Sequence, residues 1–390
     1  MRRVRSTMLI GLLALSGAAI CAAVEPPPEA TIYPAVRPGQ PLSFPADHGA
    51  HPDYRTEWWY ITGWLEDGAG NERGFQVTFF RVRTGIGEDN PSRFAPRQLI
   101  LAHAAVADPA TGHLLHAERV ARAFDPLAGA AVGHTQAWIG TWRLEGEDRG
   151  AAGGDRYRAR VQAEAFGFDL HFEAPGTPVL NGAQGFSQKA PDAINASYYY
   201  SRPQLAVSGT LQLGATSHTV RGRAWLDHEW SSELLPAPAS GWDWIGINLH
   251  DGGALMAFQM RGHDGMPLWT AATLTSAQGT TTVPPRTRIR FVPQRRWRSP
   301  RTGVEYPVEW RLEIGDRRLQ LRPLLDDQEL DARPSTGVLY WEGAVRVFED
   351  TGEGKGEGTG ESGRDDGGDT GREIGRGYLE MTGYGGRPPL

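Results

Sequence analysis

Short apolar runs and alternating apolar and polar residues, broken by polar turns, recur along this chain. Glu57 to Leu65 reads Glu-Trp-Trp-Tyr-Ile-Thr-Gly-Trp-Leu, and Gly74 to Arg83 places Phe75, Val77 and Phe79 on one face. A period of two predicts strands, and the polar run Glu66–Glu72 between them predicts a hairpin turn. The same pattern predicts a second hairpin, Leu99–Asp108 and His113–Arg122, around Pro109-Ala-Thr-Gly112. Further strands are expected at 137–145, twice within 157–173, and at 197–200, 204–213 and 218–228. The second half repeats the theme at 241–250, 254–261, 267–275, 286–297, 306–314, 317–325, 338–348 and 378–384. No stretch has the 3.6-residue period of an amphipathic helix. Loops are expected at 85–96, at 175–191, where a long glycine-containing segment could cover a pocket, and at 326–336.

The chain echoes itself. Trp58-Trp-Tyr-Ile-Thr-Gly-Trp-Leu-Glu-Asp-Gly68 aligns without gaps on Trp242-Asp-Trp-Ile-Gly-Ile-Asn-Leu-His-Asp-Gly252, with Tyr60 opposite Trp244. Two copies of one hairpin imply two similar β domains, which suits 390 residues better than a single core would. Antiparallel strands avoid exposed edges by curling into barrels, and a barrel of about eight strands leaves room for one small ligand. The expected domains are 44–239 and 240–390.

Composition adds to this outline. The 50 glycines and 28 prolines favour short strands and turns. Arg2, Arg3 and Arg5 precede an apolar run from Met8 to Ile20 and a small-residue segment, the pattern of a cleavable leader at 1–23. Cys21 allows a lipid anchor, although Ile20 before it fits that processing poorly. The leader predicts a periplasmic or secreted protein. Loss of its three arginines takes the formal net charge from −6 to −9. A mildly acidic chain without a basic run is a poor partner for nucleic acid. Cys21 is the single cysteine, so the mature chain has no disulfide. Residues 24–43 read as a Pro-rich linker. Residues 351–377, rich in glycine and acids, read as a disordered insertion.

Two clusters carry candidate chemistry. The first is the loop Asp47, His48, His51, Asp53 and Arg55, running into Glu57 and the aromatic strand Trp58, Trp59, Tyr60 and Trp64. A polar loop feeding an aromatic strand can form the mouth and wall of a pocket for an apolar ligand. The structural alternative is a loop pinned by Asp47 and Arg55. The second cluster is Asp227, His228, Glu229 and Trp230, followed by Trp242, Asp243 and Trp244. Its structural alternative is a buried Asp–His–Glu network tying one domain to the next. His48 and His51, with Asp47 or His228, could ligate a metal, but no HExxH helix surrounds them and neither metal nor cofactor is expected. No Gly-x-Ser-x-Gly elbow is present.

The segment Phe44-Pro-x-Asp-His-Gly-x-His-Pro-x-Tyr-x-Thr-Glu-Trp-Trp-Tyr60 resembles the signature of the AttH family, which shares lipocalin-like domains with the hydroxyneurosporene synthases (carotenoid 1,2-hydratases). Ala224-Trp-Leu-Asp-His-Glu-Trp230, Gly241-Trp-Asp-Trp-Ile245 and Gly377-Tyr-Leu-Glu-Met-Thr-Gly-Tyr384 are similar to it too. The resemblance implies an all-β chain of two tandem lipocalin-like antiparallel β-barrel domains, export, an apolar ligand such as a carotenoid, terpenoid or lipid, and an ABC-type membrane transporter as partner. A monomer is expected. Hydrating a C=C needs a proton donor, aromatic faces for the cation and a held water. Asp227 or Asp243 is the expected acid, with His228 and Glu229 beside it. Trp58, Trp59, Tyr60, Trp230, Trp242 and Trp244 are the expected ligand walls. A non-enzymatic lipid carrier and a secreted metal-dependent hydrolase are the alternatives.

Overall fold

The computed structural model describes residues 32–147, 155–349 and 371–388. The leader, Cys21 and most of the Gly-rich stretch lie outside these residues. Strands dominate, and among the described residues the helical elements are two 3-10 turns, Ala46–His48 and Arg286–Arg288.

The first sheet contains β1 (Thr56–Asp67), β2 (Glu72–Arg83), β3 (Gln98–Ala107), β4 (Leu114–Arg122), β5 (Ala128–Ala130), β6 (Gln136–Ile139), β7 (Trp142–Glu147), β8 (Arg156–Gln162), β9 (Phe166–Glu173), β10 (Val179–Leu180), β11 (Phe186–Gln188), β12 (Ala196–Leu213) and β13 (Thr216–Glu233). Its order is β4-β3-β2-β1-β13-β12-β9-β8-β7-β6-β5, with β10 and β11 on β12. This sheet curls into a nearly closed barrel. Its seam is bridged by Arg119 on β4, whose guanidinium donates to the carbonyls of Ile139 and Gln162, both at 3.2 Å.

The second sheet contains β14 (Ala239–Leu249), β15 (Ala254–Gly262), β16 (Pro267–Thr275), β17 (Thr281–Thr282), β18 (Ile289–Arg298), β19 (Glu305–Ile314), β20 (Arg317–Pro323), β21 (Glu329–Ala332), β22 (Val338–Glu349) and β23 (Arg372–Thr382). Its order is β17-β16-β15-β14-β23-β22-β20-β19-β18, with β21 on β22. The chain is therefore all-β, with two antiparallel barrel-like sheets.

Some local expectations change. Segment 137–145 is two strands, because Gly140 takes a positive φ of 60° and turns the chain. Segments 197–200 and 204–213 are one strand, β12, with a register shift between Arg202 and Leu205. The loop expected at 326–336 contains β21. Arg372 to Gly377, expected to be disordered, pair within β23 between β14 and β22. Residues 33–43 have no regular structure but are fastened to the first barrel. Val36 is buried in its core, the Arg37 N–H donates to Tyr198 Oη (3.0 Å), and Ser232 Oγ donates to Pro34 O (2.7 Å).

Successive strand side chains point to opposite faces. On β1, Trp59, Ile61 and Leu65 face into the first barrel and join its core with Phe75, Val77, Leu226 and Trp230. Ile245, Ile247, Trp310, Trp341 and Leu379 fill the second barrel. The other face of β1 (Tyr60, Trp64) packs with Tyr199, Trp225, Trp244, Phe258 and Tyr378 in a separate cluster between the barrels.

Trp64 fastens this contact. Its Nε1 donates to Gly377 O (3.0 Å), and the guanidiniums of Arg346 and Arg376 lie 4.9 and 5.0 Å from its ring centre. Both arginines also bind Glu72 on β2. Gly74 is required here, since a Cβ would lie 2.7 Å from both Ala344 Cβ and Tyr378 Oη. Trp64→Ala should therefore cost about 3–5 kcal/mol, read as a lowered guanidinium midpoint; an unchanged midpoint would show that this contact contributes little.

Candidate functional site

The barrels enclose a cavity of about 310 Å³ lined by Trp58, Tyr60 and Trp244, and a second space of about 320 Å³ lies beside Trp64. Strand register explains the walls of the first. On the first barrel, His103, Thr78, Tyr60, Asp227 and Ser201 form one cross-strand row over β3, β2, β1, β13 and β12. Leu101, Phe80, Trp58, Glu229 and Tyr199 form the next row. On the second barrel, Phe258, Trp244, Glu380 and Glu342 form the facing row over β15, β14, β23 and β22. Most of these side chains line the cavity, together with Trp242, Met260 and Tyr340. Arg55, Glu233, Leu234 and Thr336 stand at its outer rim.

Asp227 is buried, and among the described residues no cation pairs with it. Its Oδ2 accepts from Tyr199 Oη (2.6 Å), and its Oδ1 accepts from Ser201 Oγ (2.5 Å) and Trp225 Nε1 (2.6 Å). Burial pushes its carboxyl up to about 7, against the opposing pull of these donors. Tyr199 Oη in turn accepts from Trp244 Nε1 (3.0 Å), linking this acid to the second barrel.

Glu229 is paired with Lys189 Nζ at 2.7 Å. Lys189 comes from the loop after β11 and lies over the rings of Tyr199 (4.8 Å) and Phe258 (4.5 Å). Glu380 accepts from Trp242 Nε1 (2.9 Å), and Glu342 faces Tyr60. Burial raises both glutamates, and their mutual repulsion adds to the rise in Glu380. His103 is pushed down to about 4 by burial, so it is neutral beside Ser335 Oγ (2.9 Å).

The family described as AttH-like matches residues 35–384. The chain belongs to the AttH-like family. A crystal structure of an AttH protein from Nitrosomonas europaea is 46% identical, covers 90% of this chain and all of its own, and superposes with a TM-score of 0.79. Kievitone hydratase from Nectria haematococca shares the fold at 15% identity, covering 91% of this chain and 97% of its own, with a TM-score of 0.63. CghA does so at 15% identity, covering 91% and 95%, with a TM-score of 0.55. No curated protein matches the chain.

In this AttH-like chain the expected site residues divide by strand face. Asp227, Glu229, Trp58, Tyr60, Trp242 and Trp244 line the cavity. His228, Trp230 and Trp59 point into the first barrel, and Asp243 is buried in the second. Asp243 accepts from Gln259 Nε2 (2.7 Å), Arg261 Nε (2.9 Å) and Tyr384 Oη (3.0 Å), so its role is an internal ion pair and not an acid facing the cavity.

The loop cluster closes the end of the first barrel. Glu57 is fully buried and accepts from Arg81 Nε (2.7 Å). Its carboxylate also meets His51 Nδ1 (2.7 Å) and His228 Nε2 (2.9 Å). Burial opposes its charge, but His228, His51 and Arg81 together hold it far below the usual carboxylate range. Burial works against the His51 cation too, yet Asp47 and Glu57 raise its pKa. His51 stacks on Trp230 at 3.8 Å, and Trp59 stacks on His228 at 4.7 Å. His48 Nδ1 lies 2.8 Å from Tyr200 Oη. Asp47 does pin the loop, through the Ser43 N–H (2.5 Å), whereas Arg55 stands at the cavity rim. Asp53 is exposed. His51, Glu57 and His228 offer ligand atoms within 4.8 Å of one another. Arg81 already neutralises Glu57, so a divalent cation would face a buried guanidinium there. His48, named as a ligand alongside His51, is not in that group.

Sequence reasoning missed Lys189, Tyr199, Phe258, Glu342 and Glu380. Glu380 was visible within Gly377–Tyr384, where it occupies the same face as Tyr378.

Glu57→Gln should destabilise the protein by about 3–5 kcal/mol, because the Arg81 guanidinium is left buried without its counter-charge. Denaturant titration measures this. Since the Glu57 pKa is depressed on folding, its contribution is present at neutral pH and is lost as pH falls well below its ordinary value of 4.5. The gap between wild type and Glu57→Gln should therefore narrow in acid.

Proposed function

We propose that the cavity between the barrels binds an apolar ligand of isoprenoid or lipid type and adds water across one of its C=C bonds by acid catalysis. The observation that carries this reading is Asp227, a buried carboxyl raised to about 7 and so still partly protonated near neutral pH, in a cavity walled by Trp58, Trp242 and Trp244. Asp227 gives its proton to one alkene carbon. The cation left on the other carbon faces indole rings, whose quadrupoles attract it. Water adds to that carbon and loses a proton to a carboxylate on the same wall, with Glu229 held in place by Lys189. His228 and Asp243 have no part in these steps. Leu99, Leu101, Val82 and Leu235 extend the apolar lining for a long chain.

The leader-like N-terminus supports work outside the cytoplasm, and the family resemblance supports an ABC-type transporter as neighbour. A carrier without chemistry would use the same walls. It differs in needing no proton from Asp227.

Purified protein incubated with linear isoprenoid alkenes in H₂¹⁸O should yield ¹⁸O-labelled alcohols. Asp227→Asn should lower turnover by about 100-fold or more while ligand affinity is kept; unchanged function would favour the carrier. Turnover should also fall as pH rises through about 7, where Asp227 ionises. The sign for stability is the same. A carboxyl raised on folding is best tolerated below its unfolded value of 3.8, and the fold loses stability as pH climbs through about 7. Asp227→Asn should lack that loss.

A further inference from the structure

The second barrel's side of the cavity carries two largely buried acids with no basic partner among the described residues. Glu342 and Glu380 are direct cross-strand partners on β22 and β23, and both line the cavity. Like charges directly opposite one another on a sheet repel. Three other buried carboxylates hold cations: Glu57 has Arg81, Asp243 has Arg261, and Glu229 has Lys189. Among the described residues no lysine, arginine or histidine forms an ion pair with Glu342 or Glu380. The one indole hydrogen bond to Glu380 comes from Trp242. Glu342 is 5% exposed, and the neighbouring Tyr60 hydroxyl, on a residue 4% exposed, finds no partner in hydrogen-bond geometry.

Around this pair stand Trp242, Trp244 and Tyr60, with Tyr60 edge-on to Trp244 at 5.4 Å. Lys189 does not supply the missing charge, since it sits on Glu229, Tyr199 and Phe258. From the first barrel, Asp227 adds a further carboxyl with no cation. Unpaired acids beside indole faces are the chemistry that recognises an ammonium group.

We propose that Glu342, Glu380, Tyr60, Trp242 and Trp244 form a cation-recognition wall, and that the cavity takes a hydrophobic organic monocation with its ammonium group against that wall. This rests on reading the cavity as the ligand site, and not on the hydration chemistry. It extends that reading, because the same wall would favour a positive charge developing on an alkene.

The test uses benzyltrimethylammonium and its uncharged carbon isostere, neopentylbenzene, titrated into the full chain with tryptophan fluorescence as the readout. The cation should bind about tenfold or more tightly than the isostere. In the double variant Glu342→Gln/Glu380→Gln, checked for its native circular dichroism, the preference should vanish while the isostere still binds. Equal or tighter binding of the isostere to wild type would overturn the cation wall and leave the apolar cavity standing. Binding of neither probe would overturn both. A preference that persists in the double variant would place the cation elsewhere and also overturn the proposal. Should that variant not fold, the wild-type comparison still decides the matter.

Discussion

The mutual burial of two aromatic faces governs this molecule. Each barrel has a filled interior, yet its first strand also presents large rings outward, and those rings are covered only by the other barrel. Side-chain size sets how closely the faces approach. Where Gly74 lacks a side chain, Ala344 and Tyr378 come close, and Trp64 reaches the opposing backbone at Gly377 with two arginines over its ring. Where Trp58, Trp242, Phe80 and Phe258 project, the sheets stand apart and enclose a space. The cavity therefore follows from packing two similar surfaces whose bulky rings hold the sheets apart.

The internal repeat gives this arrangement a near-symmetry. β1 lies between β2 and β13 as β14 lies between β15 and β23. Tyr60 pairs with Asp227, and Trp244, aligned with Tyr60, pairs with Glu380. The two acids thus occupy corresponding positions in the two sheets, but their neighbours differ. Asp227 has Ser201 across the strand and three neutral donors around it, whereas Glu380 has another glutamate. One position yields a buried acid ringed by neutral hydrogen-bond donors and the other an acid held against a like charge.

Much of the fold was legible in the sequence, because antiparallel strands leave a period-two pattern and the repeated hairpin survives as eleven aligned residues. The site was legible in part. Asp227 and Glu229 were read together with His228 and Trp230, although adjacent residues on a strand must face opposite ways. The same rule separates Trp242 and Trp244 from Asp243. Alternation applied to those two segments would have left the cavity residues and removed the core residues. Other members lay beyond any local rule. Lys189 arrives from a loop, and Glu342 meets Glu380 only through pairing across the long segment between β22 and β23. That the space lies outside both barrels depends on how the two faces meet, which no window of sequence contains.

The fastening at Trp64 has a mechanical consequence. It holds the two barrels at the far end from the rim formed by Arg55, Glu233 and Thr336. The rim is tied as well, because the connection from β13 to β14 runs along it through Glu233 and Leu234, and Ser335 beside Thr336 meets His103 of the first barrel at 2.9 Å. The cleft is therefore braced at both ends, like a beam supported at two points, and the acids along its walls keep their spacing.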